Sequence, residues 1–302
     1  MFISSVRYLC GTYILTEDEH FGSFLFEVSF YTIIRTLSVN KGVNLYDGVA
    51  YDKSSQTQYT QGNKLVSNTN VFDDDSILDV GCGNGKTTIE LFKKNRNVKI
   101  DAFDLSDSQI EIAVKNRNKN GISEKEINFF SYDAFDISYN DKYSLIFSNA
   151  TLHWITKSEE MYTKIFKALK YGGRIAIHQG GKGSYYGLHE VVVHAIANLE
   201  LTKYFENWEY PIFYPSKFEM ENMLTKIGFT DINIESVKTD GKEYANLKEN
   251  FMNASFHPYL DKLPSKYHEE LKKEYLRVCE SEMVDTYSHR LYIYAKKGYS
   301  AK

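Results

Sequence analysis

Cysteine is scarce. The 302 residues hold three, Cys10, Cys82 and Cys279, too few and too scattered for a disulfide framework or a thiolate-rich metal site. That usage suits a reducing compartment, and the chain reads as cytoplasmic. Positive charge is not in excess either: Lys plus Arg number 36 against 40 for Asp plus Glu, a formal net charge of -4. A field of that sign does not draw phosphate backbones, so nucleic acid is not an expected partner. No apolar run is long enough to span a bilayer, since Phe24–Leu37 carries Glu27 and Arg35 and stops short of the roughly 20 residues required. A targeting segment fits poorly too: one early cation, Arg7, precedes a stretch broken by Gly11 and followed by Glu17, Asp18 and Glu19. What remains is ordinary globular composition, 42% hydrophobic and 25% charged, which excludes collagen-like and wholly disordered chains.

Residues 1–42 read as an amino-terminal extension in which no chemistry is visible, and residues 43–297 as the working domain. From Tyr46 onward, strand-like and helix-like segments alternate, the signature of a doubly wound α/β sheet. Ser76–Val80 predicts a strand that runs into Gly81-Cys82-Gly83-Asn84-Gly85, and Lys86–Lys94 the helix after it. Further strands are expected at Val98–Phe103, Ile127–Phe130, Tyr143–Phe147 and Arg174–His178, the last entered by a turn at Gly172-Gly173. Capping boxes at Ser106/Gln109 and Ser216/Glu219 predict helix starts, with Gly228 closing the second helix. Asp231–Val237 and Leu291–Ala295 complete the strands. Residues 180–214, rich in glycine and then in aromatics, and residues 240–288 predict cap insertions.

A glycine turn feeding a helix lets a ligand approach unpaired N–H groups at the positive end of the helix dipole. The spacing here is G-x-G-x-G at 81, 83 and 85, not the G-x-G-x-x-G that cradles a dinucleotide pyrophosphate, because Lys86 and Thr87 follow. Asp104, at the tip of the next strand, lies 23 positions beyond Gly81 (104 − 81), close to the roughly 20 expected of a carboxylate that accepts from ribose hydroxyls. Asp133, after the third strand, is placed to accept from an adenine amino group.

Ile77-Leu78-Asp79-Val80-Gly81-Cys82-Gly83-Asn84-Gly85 resembles motif I of the class I S-adenosylmethionine-dependent methyltransferases. Tyr132-Asp133-Ala134 is similar to their adenine loop. Ser148-Asn149-Ala150-Thr151-Leu152-His153-Trp154 resembles the segment after the fourth strand in the trans-aconitate, malonyl-carrier-protein and juvenile hormone acid methyltransferase group. The resemblance covers about residues 45–297. It implies a Rossmann-like seven-stranded sheet with helical cap insertions, S-adenosylmethionine as cofactor, S-adenosylhomocysteine as product and a small-molecule acceptor. It also implies cofactor contacts from Asp79, Gly81, Gly83, Gly85, Asp104, Leu105, Asp133, Ala134 and Asn149. Tyr51 and Gln58, from an amino-terminal helix that closes over the cofactor in such enzymes, are expected at its methionine end.

A sulfonium methyl group is already electrophilic, so the protein has chiefly to align an acceptor lone pair and exclude water. A carboxylate acceptor needs no base, because its pKa of about 4 leaves it ionised at neutral pH; an amine or hydroxyl does. His153 and Trp154 follow the fourth strand's carboxyl end, where open α/β sheets hold their ligands. His153 is read as a hydrogen-bond donor to the acceptor oxygen or, for a protonated acceptor, a base; Trp154 is read as a wall that keeps the pocket dry. His178, Gln179, His257 and Arg290 are further candidate donors, the arginine fork suiting a carboxylate. His189-Glu190-Val191-Val192-Val193-His194 misses the H-E-x-x-H zinc spacing, since five helical steps turn the second ring roughly 140° from the first, and no metal site is expected. The expected reaction is methyl-ester formation on a small carboxylic acid. Methylation of nitrogen, hydroxyl or carbon in a specialised metabolite, and a catalytically silent relative, remain open alternatives.

Overall fold

The computed structural model describes residues 56–239, 247–281, 284 and 286–298. The expected extension at 1–42 and Tyr51 lie outside the described residues. In chain order the elements are α1 (Gln56–Asn68), β1 (Ser76–Val80), α2 (Lys86–Lys94), β2 (Lys99–Asp104), α3 (Asp107–Lys119), β3 (Ile127–Ser131), β4 (Tyr143–Asn149) and α4 (Ser158–Ala168). Then come β5 (Leu169–Gly180), α5 (Tyr186–Asn198), α6 (Lys217–Ile227), β6 (Phe229–Thr239), α7 (Leu247–Ser255), α8 (His257–Leu260), α9 (His268–Ser281) and β7 (Ser288–Lys297). Among the described residues, the strands form one seven-stranded sheet of order β3-β2-β1-β4-β5-β7-β6. All pairings are parallel except those of β7, which runs antiparallel to both β5 and β6. The chain reverses its direction of growth between β1 and β4, and in such sheets the crevice beyond the strand ends at that point is where ligands sit.

Buried parallel strands read as unbroken apolar runs because helices cover both faces. Ile77 and Leu78 accordingly face opposite cores. One core joins Leu78, Val80, Ile146 and Ile177 to Met161 and Ile165 of α4 and Leu224 of α6. The other joins Ile77, Leu145 and Ala176 to Leu65 of α1 and Leu91 and Phe92 of α2. A third cluster forms the cap, in which Leu188 and Val192 of α5 pack with Phe251 of α7 and Leu271 and Tyr275 of α9. No helix among the described residues is long and apolar enough to cross a membrane.

Two local expectations are corrected. The Gly172-Gly173 pair does not turn the chain into β5; the strand already starts at Leu169, and its register to β4 jumps from Tyr143↔Leu169 to Leu145↔Arg174. The glycines form an irregular bulge inside the strand, where Gly172 has φ 77° and a Cβ on Gly173 would lie 2.7 Å from the Lys170 carbonyl oxygen. The capping box at α3 is only half made. Ser106 Oγ accepts from the Gln109 N–H at 3.4 Å, but the Gln109 side chain does not return a bond. At α6, by contrast, the Ser216/Glu219 box is complete and Gly228 closes the helix at φ 110°.

α1 is clamped by Lys94, whose Nζ donates to the carbonyls of Val66, Ser67 and Thr69 at 2.7, 2.9 and 2.6 Å. The cation thereby takes up carbonyl groups that a helix carboxyl end leaves unpaired. It holds α1 over the sheet.

Candidate active site

The turn after β1 stays attached to β2, because Gly81 N and Cys82 N both donate to the Phe103 carbonyl at 2.9 Å. Gly81, Gly83 and Gly85 all have positive φ, 73°, 51° and 74°, but they differ in what surrounds them. A Cβ on Gly81 would lie 2.1 Å from Thr151 Cγ2, and one on Gly85 2.7 Å from the Phe129 ring, whereas the nearest atom at Gly83 is Gln109 Oε1 at 3.9 Å. Packing accounts for the outer two glycines. The middle one leaves an open backbone face at the amino end of α2.

Asp104 borders that face. Its carboxylate accepts from Gly83 N at 2.9 Å and from Ser106 N at 3.0 Å, so the side chain ties the turn to the tip of β2. Burial raises its pKa, against the pull of those backbone hydrogen bonds. Asp79, buried at the end of β1, accepts from Thr88 Oγ1 at 2.6 Å. Burial, with a smaller contribution from the Asp104 charge and opposed by Thr88, pushes its pKa to about 7. Burial and then the same two carboxylates push the Cys82 thiol well up, which makes it a small packing residue rather than a nucleophile.

Leu105, half exposed, follows β2, and Asp133 and Ala134 follow the neighbouring β3. Asp133 Oδ1 is engaged by the Phe135 N–H at 2.9 Å, which fixes the loop. On the other flank, Thr151 Oγ1 donates to the Gly81 carbonyl at 2.9 Å and binds the segment after β4 to the glycine turn. Asn149 ends β4, with Oδ1 2.8 Å from His178 Nδ1. Gly62 of α1 comes so close above it that a Cβ there would lie 2.9 Å from Asn149 Nδ2. Gln58 falls in the first turn of α1.

His153 sits in a short 3-10 turn just past β4 and is buried. Its Nδ1 faces the Gly180 N–H at 3.5 Å, a contact that assigns the ring proton to Nε2. Burial, and then the charge of Arg290, lower its pKa to about 3. Its ring lies 5.6 Å from that of Tyr214 and 5.4 Å from that of Trp154. Trp154 in turn faces the cap, 5.1 Å from the His257 ring and 6.4 Å from Tyr210. Arg290 stands opposite Gly180 in the β5/β7 ladder and donates to Tyr185 Oη at 2.6 Å.

The structure thus gathers Asp79, the three glycines, Asp104 and Asn149 around the ends of β1, β2 and β4, and His153, Trp154 and Arg290 beneath the cap that carries His257. Gln179 is held through its Oε1, which accepts from Tyr162 Oη at 2.7 Å, while its buried Nε2 has no hydrogen-bond partner among the described residues. His189 is sunk into the cap, 2.8 Å from Tyr259 Oη, while His194 is exposed, so the two histidines of that segment do not converge. Sequence reading passed over Gln109 as a candidate site residue: its Oε1 is buried, makes no hydrogen bond among the described residues and borders the open face of Gly83. Its place in the first turn after the acidic strand tip was the available signal, and the capping-box reading obscured it.

Comparison with known proteins agrees with this architecture. A family model described as a methyltransferase domain matches residues 72–228. A malonyl-[acyl-carrier protein] O-methyltransferase of Priestia megaterium is 32% identical over 154 residues, covering 50% of this chain and 54% of that protein. Malonyl-[acyl-carrier protein] O-methyltransferase 1 of Ilyobacter polytropus is 35% identical over 155 residues, covering 50% and 53%. The match therefore spans about half the length of these curated relatives. A solved phosphoethanolamine N-methyltransferase 2 of Haemonchus contortus superposes with TM-score 0.56 at 17% identity, covering 83% of this chain and 57% of that one, a likeness of fold.

Proposed function

The chain belongs to the methyltransferase-domain family, and from that premise we propose that it transfers a methyl group from S-adenosylmethionine to the carboxylate oxygen of a small acid or acyl group, giving a methyl ester. S-adenosylmethionine supplies a methyl group activated by its bond to positively charged sulfur. The residues present fit that cofactor. Gly83 offers an open backbone face, Asp104 a half-buried carboxylate suited to ribose hydroxyls, and Gln109 Oε1 an acceptor that has no partner among the described residues. Asn149 bounds the other side of the crevice.

The observation that carries the carboxylate reading is the state of His153. A general base is effective when its pKa lies near the working pH, and a ring held at about 3 binds a proton too weakly to take one from a hydroxyl or an ammonium. His257, lowered to about 4 by burial, is no better suited. An acceptor that arrives already ionised needs neither. In this reading the Nε2–H of neutral His153 donates to the acceptor carboxylate and orients it, Arg290 supplies the positive field that favours an anion, and Trp154 with Tyr214 excludes water. The two relatives named for O-methylation of a malonyl group support an acid as acceptor.

The test is methyl transfer from methyl-labelled S-adenosylmethionine to a panel of free organic acids and to malonyl carrier protein, with the product treated with mild base. Label released as methanol is expected. Label that resists base would move the acceptor to nitrogen, ether oxygen or carbon and refute the carboxylate reading. Cofactor binding without transfer to any acceptor, including those in a cell extract, would favour a silent relative.

A further inference from the structure

A polar row crosses the sheet beneath α1, exposed at its Glu235 end and buried at its centre, where strands ordinarily carry aliphatic side chains. The ladders place Asn149 of β4 opposite His178 of β5, His178 opposite Tyr292 of β7, and Tyr292 opposite Glu235 of β6. The side chains continue the register: His178 Nδ1 is 2.8 Å from Asn149 Oδ1, and the His178 ring stacks on Tyr292 at 4.8 Å and 27°. α1 closes the row at both ends. Gly62 lies against Asn149 Nδ2, while Lys64 Nζ lies 4.5 Å from the centre of the Tyr292 ring and 2.6 Å from Glu235 Oε1.

His178 is an expensive residue for such a position. It is fully buried, and its Nε2 makes no hydrogen bond among the described residues. A leucine there would remove the unsatisfied Nε2 at the cost of the bond to Asn149, and a buried unsatisfied group is a net loss to stability. Burial first, and then the positive charges of Arg290 and Lys64, hold the ring neutral, so it forms no ion pair to offset that loss. What it does supply is a fixed partner for Asn149, a side chain that would otherwise be able to rotate its amide between α1 and the crevice.

We propose that His178 is a positioning residue, which locks the Asn149 amide toward α1 and the crevice and so couples cofactor binding to the seating of α1 on the Tyr292–Glu235 end of the row. This rests on Asn149 lying at the cofactor, as in the reading above.

The experiment is calorimetric titration of the full chain with S-adenosylhomocysteine, alongside thermal unfolding, for His178→Leu, His178→Asn and Asn149→Ala. The Nδ2 of an asparagine at 178 stands where His Nδ1 stands and preserves the bond to Asn149; leucine preserves only volume. His178→Leu is expected to weaken binding about tenfold, the worth of one hydrogen bond, with an unfolding temperature close to wild type, because losing the Asn149 bond offsets the removal of the unpaired Nε2. His178→Asn is expected to stay within about threefold of wild type. In the Asn149→Ala background, His178→Leu should add nothing, because the two residues act as one unit. Wild-type affinity in His178→Leu, or losses that simply add, would overturn the proposal. Should His178→Leu not fold, binding as weak in His178→Asn as in Asn149→Ala would overturn it instead. Failure of the wild-type protein to bind the cofactor product would overturn the underlying functional reading, a distinct result.

Discussion

Asp104→Asn tests the cofactor site at the atom where its geometry is most constrained. The carboxylate presents one oxygen to Gly83 N at 2.9 Å and the other to Ser106 N at 3.0 Å. An asparagine has one oxygen, so it must turn its NH2 group toward one of those N–H donors and leave that donor without an acceptor. A hydrogen bond to a charged group contributes about 1.5–3 kcal/mol, and stranding a buried partner costs about 1–3 kcal/mol. Part of that loss is offset in the free protein, since removing the charge also removes the burial penalty that raises the Asp104 pKa. No such offset applies to a ribose that has lost its carboxylate. The stability change should therefore be small, about 1 kcal/mol, while affinity for S-adenosylhomocysteine falls by about 2 kcal/mol, roughly thirtyfold. Calorimetry and thermal unfolding of the same preparation measure both. Unchanged affinity together with lowered stability would refute the assignment and leave Asp104 as a strut for the turn alone.

Other expectations follow from single contacts. With the His153 pKa at about 3, the ring is neutral throughout the physiological range, so kcat should be flat from about pH 6 to about 9; a tenfold rise per pH unit in that window would make His153 a base. His153→Gln, which keeps a donor near Nε2, should retain more activity than His153→Ala, which is expected to lose about tenfold or more. Gly81→Ala combines a left-handed φ of 73° with a Cβ 2.1 Å from Thr151 Cγ2. It should destabilise by about 2–4 kcal/mol in a denaturant titration, with Thr151→Gly recovering part of the loss and an unperturbed midpoint refuting the packing argument. Asp79 has a folded pKa of about 7 against 3.8 in the unfolded chain. Its raised value contributes stability that is complete below about pH 4 and is lost as pH rises through 7, on the order of 4 kcal/mol. Asp79→Asn should flatten that part of the stability profile; an equally steep fall in the variant would place the titration elsewhere.

The core of the fold was legible because buried parallel strands leave a strong local mark. Ser76–Val80 and Lys86–Lys94 were read to the residue, since an apolar run, three glycines and a charged helix abut there without ambiguity. β5 was less so. Its first five residues pair through a bulge that only the register with β4 reveals, and the glycine pair inside it reads locally as a turn. At the site, Asp104 and the glycines stood out by spacing along one βα unit. Gln109 did not, because a cap and a site residue have the same sequence pattern and differ only in where the side chain points. The Asn149–His178–Tyr292 row was illegible for a further reason: its members lie on three strands and meet only through the ladders. The neutral state of His153 likewise depends on burial by the cap and on Arg290, far away in the chain.

The central claim is that a carboxylate oxygen of the acceptor attacks the methyl carbon. The most direct measurement uses an accepted acid whose carboxyl oxygens carry a heavy isotope and analyses the methanol released from the product by mild base. Base cleaves the acyl–oxygen bond of an ester, so methanol carrying the heavy oxygen is the predicted result. A methyl group that stays on the acid after base, or methanol carrying only solvent oxygen, would contradict it.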